Sequence, residues 1–222
     1  MTARGFTLVE LAVSLVIIAL VVGMFVVPLA TQFDQQRIAE TRTQLEHVRE
    51  AVIGFALTNG RLPCPATPTT ATGAAGAGTE NKPGAACGLT EGVLPWSDLG
   101  VPEHDVWGRR FTYRVTLAFA DDAVGMQASF LLTDTGNITV TDGAANIATT
   151  LPAIIVSHGK NGFGAFRSDG AQIAGAAGDE LENADKDATF VSRTHAPDFD
   201  DQLVWVSSHV LKSRMVAANR LP

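Results

Sequence analysis

The sequence predicts an α+β protein in which one long N-terminal helix packs on a small antiparallel β-sheet. Three observations predict it. Residues 11–30 are an apolar run, residues 31–58 keep apolar side chains at helical spacing, and beyond residue 90 the pattern changes to short alternating or apolar segments bounded by Gly, Pro and Asn.

The run at 11–30 has Ser14 as its only polar side chain. About 20 apolar residues suffice for a helix to cross a bilayer. Arg4 and the initiator amine precede the run, which predicts a cytoplasmic N-terminus with the remainder outside. A secretory signal peptide would have a shorter apolar region, roughly 7–15 residues, ending at a small-residue cleavage site. This run is longer, continues into a helical pattern and shows no such exit. A plain signal anchor is the other reading.

Glu10 separates these readings. It lies within the apolar segment, where a carboxylate costs a few kcal/mol and calls for a partner. No nearby side chain of this chain is a good cationic partner. Cleavage between Gly5 and Phe6 would create one, because the new α-amine would have a pKa of about 8 and be mostly protonated. Amine and carboxylate would meet most readily between neighbouring helices shifted along their axes.

Residues 31–58 continue the helix. Ile38, Leu45, Val48, Val52 and Phe55 recur at spacings of three, four or seven, while Arg37, Glu40, Arg42, Glu46, Arg49 and Glu50 fill the other faces. The i,i+3 and i,i+4 charge pairs contribute only tenths of a kcal/mol each. Asn59-Gly60 stops the helix, with Pro63 and Pro65 following. Residues 6–58 read as one element would measure about 80 Å, with a kink expected at Pro28. A helix of that length cannot be buried by one small domain, so it needs lipid and then other helices.

The string Arg4-Gly5-Phe6-Thr7-Leu8-Val9-Glu10-Leu11 resembles the cleavage and methylation signature of type IV prepilins and type II secretion pseudopilins. The resemblance implies that a dedicated membrane peptidase cuts after Gly5 and methylates Phe6, and that Glu10 neutralises a neighbour's N-terminus during assembly. It implies a pilin-like organisation: a leader at 1–5, a transmembrane helical half at 6–30, an amphipathic half at 31–60 and a periplasmic globular domain at 61–222. The expected location is the bacterial inner membrane, single-pass, and then a filament. The expected partners are the prepilin peptidase and methylase, other pilin or pseudopilin subunits, an inner-membrane assembly platform and membrane lipid. The chain would be a filament subunit and not an enzyme. The alternative is a membrane-anchored periplasmic binding protein without an assembly role; an anchored hydrolase is third.

Composition agrees with this frame. The 222 residues suit one domain plus an appendage. The 46% hydrophobic content and mean hydropathy of +0.16 exceed those of an ordinary soluble domain, and the excess sits at the N-terminus. A net charge of -7 without any basic run argues against nucleic acid as a partner.

The two cysteines, Cys64 and Cys87, are too far apart for a CxxC redox pair or a zinc knuckle. In an exported domain they are expected to form a disulfide. They flank a loop at 66–88 that is rich in Ala, Thr, Gly and Pro and has no apolar period. Strands are expected around 111–115, at 128–133, 137–141, 153–157 and 202–207, and a last helix after Ser207-Ser208. Leu62-Pro63 and Asp105-Val106-Trp107-Gly108 with Tyr113 resemble the pseudopilin segment that leads from the helix into the first strand.

Residues 157–162 look loosely like a phosphate loop but lack its G-x-x-x-x-G-K-[ST] order. A triad built from Ser157, His158 and a distant Asp has little in its favour, because these residue types are common. The series Ser157, Gly159, Asn161, Gly162 and Gly164 is similar to the calcium-binding loop of major pseudopilins, with Asn161 in place of Asp and Ala165 in place of the second Gly. Asp198, Asp200 and Asp201 add oxygen ligands of the kind Ca²⁺ takes. A Gly/Asn turn with no ion is the competing reading of that loop.

Overall fold

The computed structural model describes residues 7–122 and 127–221, leaving the side chains of 24–31 undescribed. Helix α1 spans Leu8–Asn59. Residues 1–40 and 41–222 form two compact units. In the first, the described apolar side chains at 8–23 are exposed throughout, with Leu8 87% and Leu20 70% exposed. Among the described residues no helix is long and apolar enough to cross a membrane. The kink expected at Pro28 lies outside the described residues.

In the second unit α1 supplies one layer of the core. Leu45, Val48, Val52, Ile53 and Ala56 are buried. Phe55, expected on this face, is only half-buried, with the Arg61 guanidinium 5.3 Å from its ring centroid. The stripe therefore drifts by one residue in the last two turns. The helix ends where Gly60 adopts φ +75°, and a Cβ there would lie 2.2 Å from the Gln127 carbonyl oxygen. Arg220 Nε donates to the Leu57 carbonyl at 2.9 Å, satisfying one of the orphan acceptors at the helix end.

Strands β1 (Glu91–Val93), β2 (Thr112–Val115), β5 (Ala153–Ser157) and β7 (Gln202–Val206) form an antiparallel sheet in the order β1-β2-β5-β7. A second sheet has the order β4-β3-β6, from β3 (Ile138–Thr141), β4 (Asn146–Leu151) and β6 (Thr189–Val191). The expected single antiparallel sheet is thus two sheets. The β3–β6 pair is parallel, which its long connection through α3 (Asp179–Glu182) permits. Helix α2 (Trp96–Leu99) and a 3₁₀ turn at Leu117–Phe119 complete the first half, and α4 (Ser208–Ala217) closes the chain.

The layers follow from strand alternation. Ile155, Val204 and Val206 face α1 and α4, where Leu211 and Met215 join them. Ile154, Val156, Leu203 and Trp205 face the second sheet, against Ile138, Val140 and Phe190. The central sheet is therefore covered on both faces. This explains why β2, expected to be half-buried from its alternation, is buried at every position.

Residues 128–133 do not form the expected strand. Phe130 turns into the core, its ring 4.5 Å from that of Phe119, while Leu131 and Leu132 are half exposed in a turn held by Asp134. Helix α4 starts where expected, but Ser207 makes no side-chain cap; Ser208 Oγ donates instead to the Thr150 carbonyl at 2.7 Å.

The loop at 66–88 is pinned by polar groups. Arg110 is fully buried, donates to the carbonyls of Pro68 and Thr70 and pairs with Glu103 at 2.8 Å. Arg61 pairs with Glu80 at 2.6 Å, and Glu80 also accepts from the Cys64 amide. Cys64 and Cys87 are bridged, with Cα atoms 5.4 Å apart.

Candidate functional site

Two regions carry chemistry beyond packing: the start of α1 and a carboxylate cluster between the β5 end and the β7 start.

At the start of α1, Gly5 and Phe6 lie outside the described residues. From Thr7 onward the geometry is a capping box. Thr7 Oγ1 accepts from the Glu10 amide at 3.2 Å, and the Glu10 carboxylate accepts from the Thr7 amide at 3.2 Å and from its hydroxyl at 3.1 Å. Ser14 Oγ donates to the Glu10 carbonyl at 2.7 Å, so the one other polar side chain of the segment is satisfied within the helix. A carboxylate in the first turn also faces the positive end of the helix dipole. Thr7 was legible as a partner of Glu10 from the T-x-x-E spacing, which the sequence reading passed over.

Asp105 explains the D-x-W-G element. Its carboxylate accepts from the Trp107 and Arg109 amides, both at 2.9 Å, and from the Ser157 hydroxyl at 2.5 Å. Gly108 supplies the φ of +78° that closes this turn. Burial pushes the Asp105 carboxyl above its usual range, and these three bonds pull it partly back. The element is thus a structural clasp between the loop before β2 and the end of β5. Tyr113, from the same string, donates its hydroxyl to the Pro63 carbonyl at 3.0 Å and ties β2 to the segment after α1.

Ser157 and His158 do not cooperate as nucleophile and base. Ser157 gives its hydroxyl to Asp105, and His158 Nε2 lies 2.9 Å from Thr112 Oγ1.

His158 Nδ1 lies 3.6 Å from Asp201 Oδ1, both side chains being buried. Around it, Glu180, Asp200 and Asp201 each bring a carboxylate oxygen within 4.8 Å of the others. Asn161 organises them: its amide N donates to Asp200 at 2.9 Å and its side-chain Nδ2 to Glu180 at 2.8 Å. Asn183 Nδ2 donates to Asp201 at 2.8 Å. Gly159 is required here, because its φ is +56° and a Cβ would lie 2.3 Å from the Asp200 carbonyl oxygen. Burial raises the Glu180 and Asp200 carboxyls, the hydrogen bonds from Asn161 oppose the rise, and the neighbouring Asp201 adds to it.

Of the expected oxygen ligands, the structure gathers Asn161, Asp200 and Asp201 around this point. Asp198 is turned away onto Arg193 at 2.9 Å, and Ser157 is taken by Asp105. Glu180, which the sequence reading missed, takes part instead; its only sequence signal was an acidic residue in a Gly-rich stretch. Asp200 Oδ1 and Asp201 Oδ1 are buried without a hydrogen-bond partner among the described residues. Buried orphan carboxylate oxygens are costly; Asp201 Oδ1 has His158 Nδ1 3.6 Å away, so of the two it is Asp200 Oδ1 that best fits a hard cation.

Comparison with known proteins bears on the first region. The family model described as the prokaryotic N-terminal methylation motif matches residues 1–26. No curated protein and no solved structure matches the chain. The chain thus carries, in the segment that holds Gly5, Phe6, Thr7 and Glu10, the prokaryotic N-terminal methylation motif, the prepilin-type signature.

Proposed function

We propose that the chain is a structural subunit of a type IV pilus-like or type II secretion pseudopilus filament, cleaved after Gly5 and methylated on Phe6 before assembly. The observation that carries the reading is Glu10, a carboxylate in an apolar helix start matched by the methylation motif. The apolar run at 11–30 supports inner-membrane anchoring of the precursor with the second unit in the periplasm. The partners of this reading are the processing peptidase, an inner-membrane platform and other pilin-type subunits. In the filament the Phe6 amine of one subunit meets the Glu10 carboxylate of the next where water is scarce. Attraction strengthens there while desolvation takes back part of the gain, so the pair sets axial register more than it adds stability.

The test is mass spectrometry of the N-terminal peptide from membrane-extracted protein, together with its recovery in sheared filaments. A methylated N-terminal Phe6 and presence in filaments are expected. An intact Met1, or cleavage near residue 30, overturns the reading and favours an anchor or a secreted domain.

A calcium site at Glu180, Asp200 and Asp201 is the second part of the proposal. The orphan oxygen of Asp200 and the gathering of three carboxylates support it, and hard oxygen donors are the ligands Ca²⁺ takes. The ion would offset most of the charge of three adjoining carboxylates and lock the β5–loop–β7 junction.

A further inference from the structure

The two sheets have four edges, and two of them are closed. Along β1, Ala66 exchanges backbone hydrogen bonds with Val93 at 2.8 and 3.1 Å. Along β6, a single side chain does the same: Asn183 Nδ2 donates to the Val191 carbonyl at 3.0 Å and Asn183 Oδ1 accepts from the Val191 amide at 2.8 Å. The edge of β7 has no such cover, and β4 is held only at its C-terminal end, where the Thr150 carbonyl accepts from Ser208 Oγ at 2.7 Å and the Leu151 carbonyl from Thr116 Oγ1 at 3.1 Å. Among the described residues β7 makes no backbone hydrogen bond beyond those to β5, and along β4 the one such bond to another segment is Gly136 N to the Thr150 carbonyl.

Unpaired edges invite strand addition, and proteins usually block them with charge, proline or a covering segment. β4 lacks all three over residues 146–149, although its pairing with β3 shifts register at two points. Its sequence Asn146-Ile147-Ala148-Thr149-Thr150-Leu151 carries no charge and no proline, is largely exposed, and presents Ile147 at 48% exposure. β7 borders an open groove of about 430 Å³ lined by Leu45, Val204 and Trp205 and by the guanidinium groups of Arg42 and Arg49. Glu46, also on the groove, pairs with Arg49 at 2.6 Å, while Arg42 has no ion-pair partner among the described residues. The exposed hairpin turn that leads into β4 carries Asp142, a charge complementary to Arg42.

We propose that β4 of one copy adds to the free edge of β7 in the next copy. An unpaired edge at the rim of a groove fits an extended backbone with its own open edge, and this domain presents one of each. The contact is head-to-tail: a copy that gives β4 keeps its own β7 open for a further copy, and the contact runs as an open series wherever the rotation between copies does not close a ring. The inference rests on the filament reading and adds a contact between globular domains to it.

Cysteine cross-linking tests this cleanly, because Cys64 and Cys87 are bridged and no free cysteine is present among the described residues. Full-length Ile147→Cys and Gln202→Cys copies, neither substitution in the core, are co-expressed and the sheared filaments treated with a short bis-maleimide. A mixed 147–202 dimer at least about tenfold more abundant than either homotypic dimer, and than a Val210→Cys with Gln202→Cys control, is expected. Ile147→Lys introduced beside the cysteine at Gln202 in a single copy, paired with Ile147→Cys, leaves the cross-linked contact untouched and should not lower the yield of mixed dimer in mixed filaments. Filaments without the mixed cross-link, or with the 147–147 dimer dominant, overturn the proposal and leave the filament reading intact. If processed protein is absent from filaments, that reading falls; the proposal then falls with it unless concentrated protein in detergent gives the mixed dimer.

Discussion

Thr7 and Glu10 each accept a hydrogen bond from the other's backbone amide, so the carboxylate in the apolar segment is already engaged within its own helix. The box fixes where the helix starts and which way the Glu10 carboxylate points. In the proposed filament a neighbour's amine would meet an oriented carboxylate, whose cap contacts are made through Oε2. Glu10→Gln is expected to be inserted and cleaved as the wild type but to enter sheared filaments at least tenfold less, because it keeps the size and loses the charge. Thr7→Val, which removes the cap and leaves the charge, should lower incorporation to a smaller extent. Normal incorporation of Glu10→Gln, with processing checked by mass spectrometry, would show that charge pairing is dispensable.

The Cys64–Cys87 bridge closes a loop that has no apolar core of its own, over a sequence separation of 23 residues. Cross-linking over such a span is worth about 3 kcal/mol in the chain-entropy model. Reducing it should lower the Tm of the full chain in detergent micelles by about 6–12 °C. Non-reducing peptide maps should show the linked pair, and two freely alkylated thiols in native protein would refute it.

The carboxylate cluster gives a stability prediction through ligand linkage, since an ion that binds the folded state must stabilise it. Millimolar Ca²⁺ should raise the Tm relative to excess chelator. Asp200→Asn combined with Asp201→Asn should abolish that increment, and Asp198→Asn should leave it unchanged, because Asp198 pairs with Arg193. A calcium-independent Tm would remove the ion from the proposal.

Asp105 yields a pH prediction. Burial raises its folded carboxyl above the unfolded value, so the native state binds its proton more tightly than the unfolded chain does. The stability this contributes is present at low pH and lost as pH rises from the ordinary carboxylate range, about 4, through the raised folded value. Asp105→Asn lacks this dependence. Its destabilisation relative to wild type, about 1–3 kcal/mol for disturbing buried hydrogen bonds, should be largest near pH 4 and shrink toward neutrality. Urea unfolding of both proteins across that range measures it; a cost that grows with pH would contradict the assignment.

How much was legible depended on whether a feature was local. The long helix, its stop at Asn59-Gly60 and the cores of β3, β5 and β7 all follow from periodicity and turn residues close in sequence. β4 and β6 were not legible. One is an exposed edge without apolar alternation, and the other is three residues long and pairs in parallel with a strand far back in the chain. The apparent strand at 128–133 failed for the converse reason: a locally suitable apolar segment spends Phe130 on the core beside Phe119.

By itself the sequence determined the methylation motif, the apolar run, the position of Glu10 and the helix that follows, because each rests on covalent neighbours and on spacings within one element. Tertiary structure alone decided the rest. It divided the strands between two sheets, set Arg110 to hold the loop at 66–88, and brought Glu180 to Asp200 and Asp201 while sending Asp198 to Arg193. Buried polar groups must find partners wherever the packed chain offers them, and the distances that settle those partnerships exist only once residues far apart in sequence have been brought together.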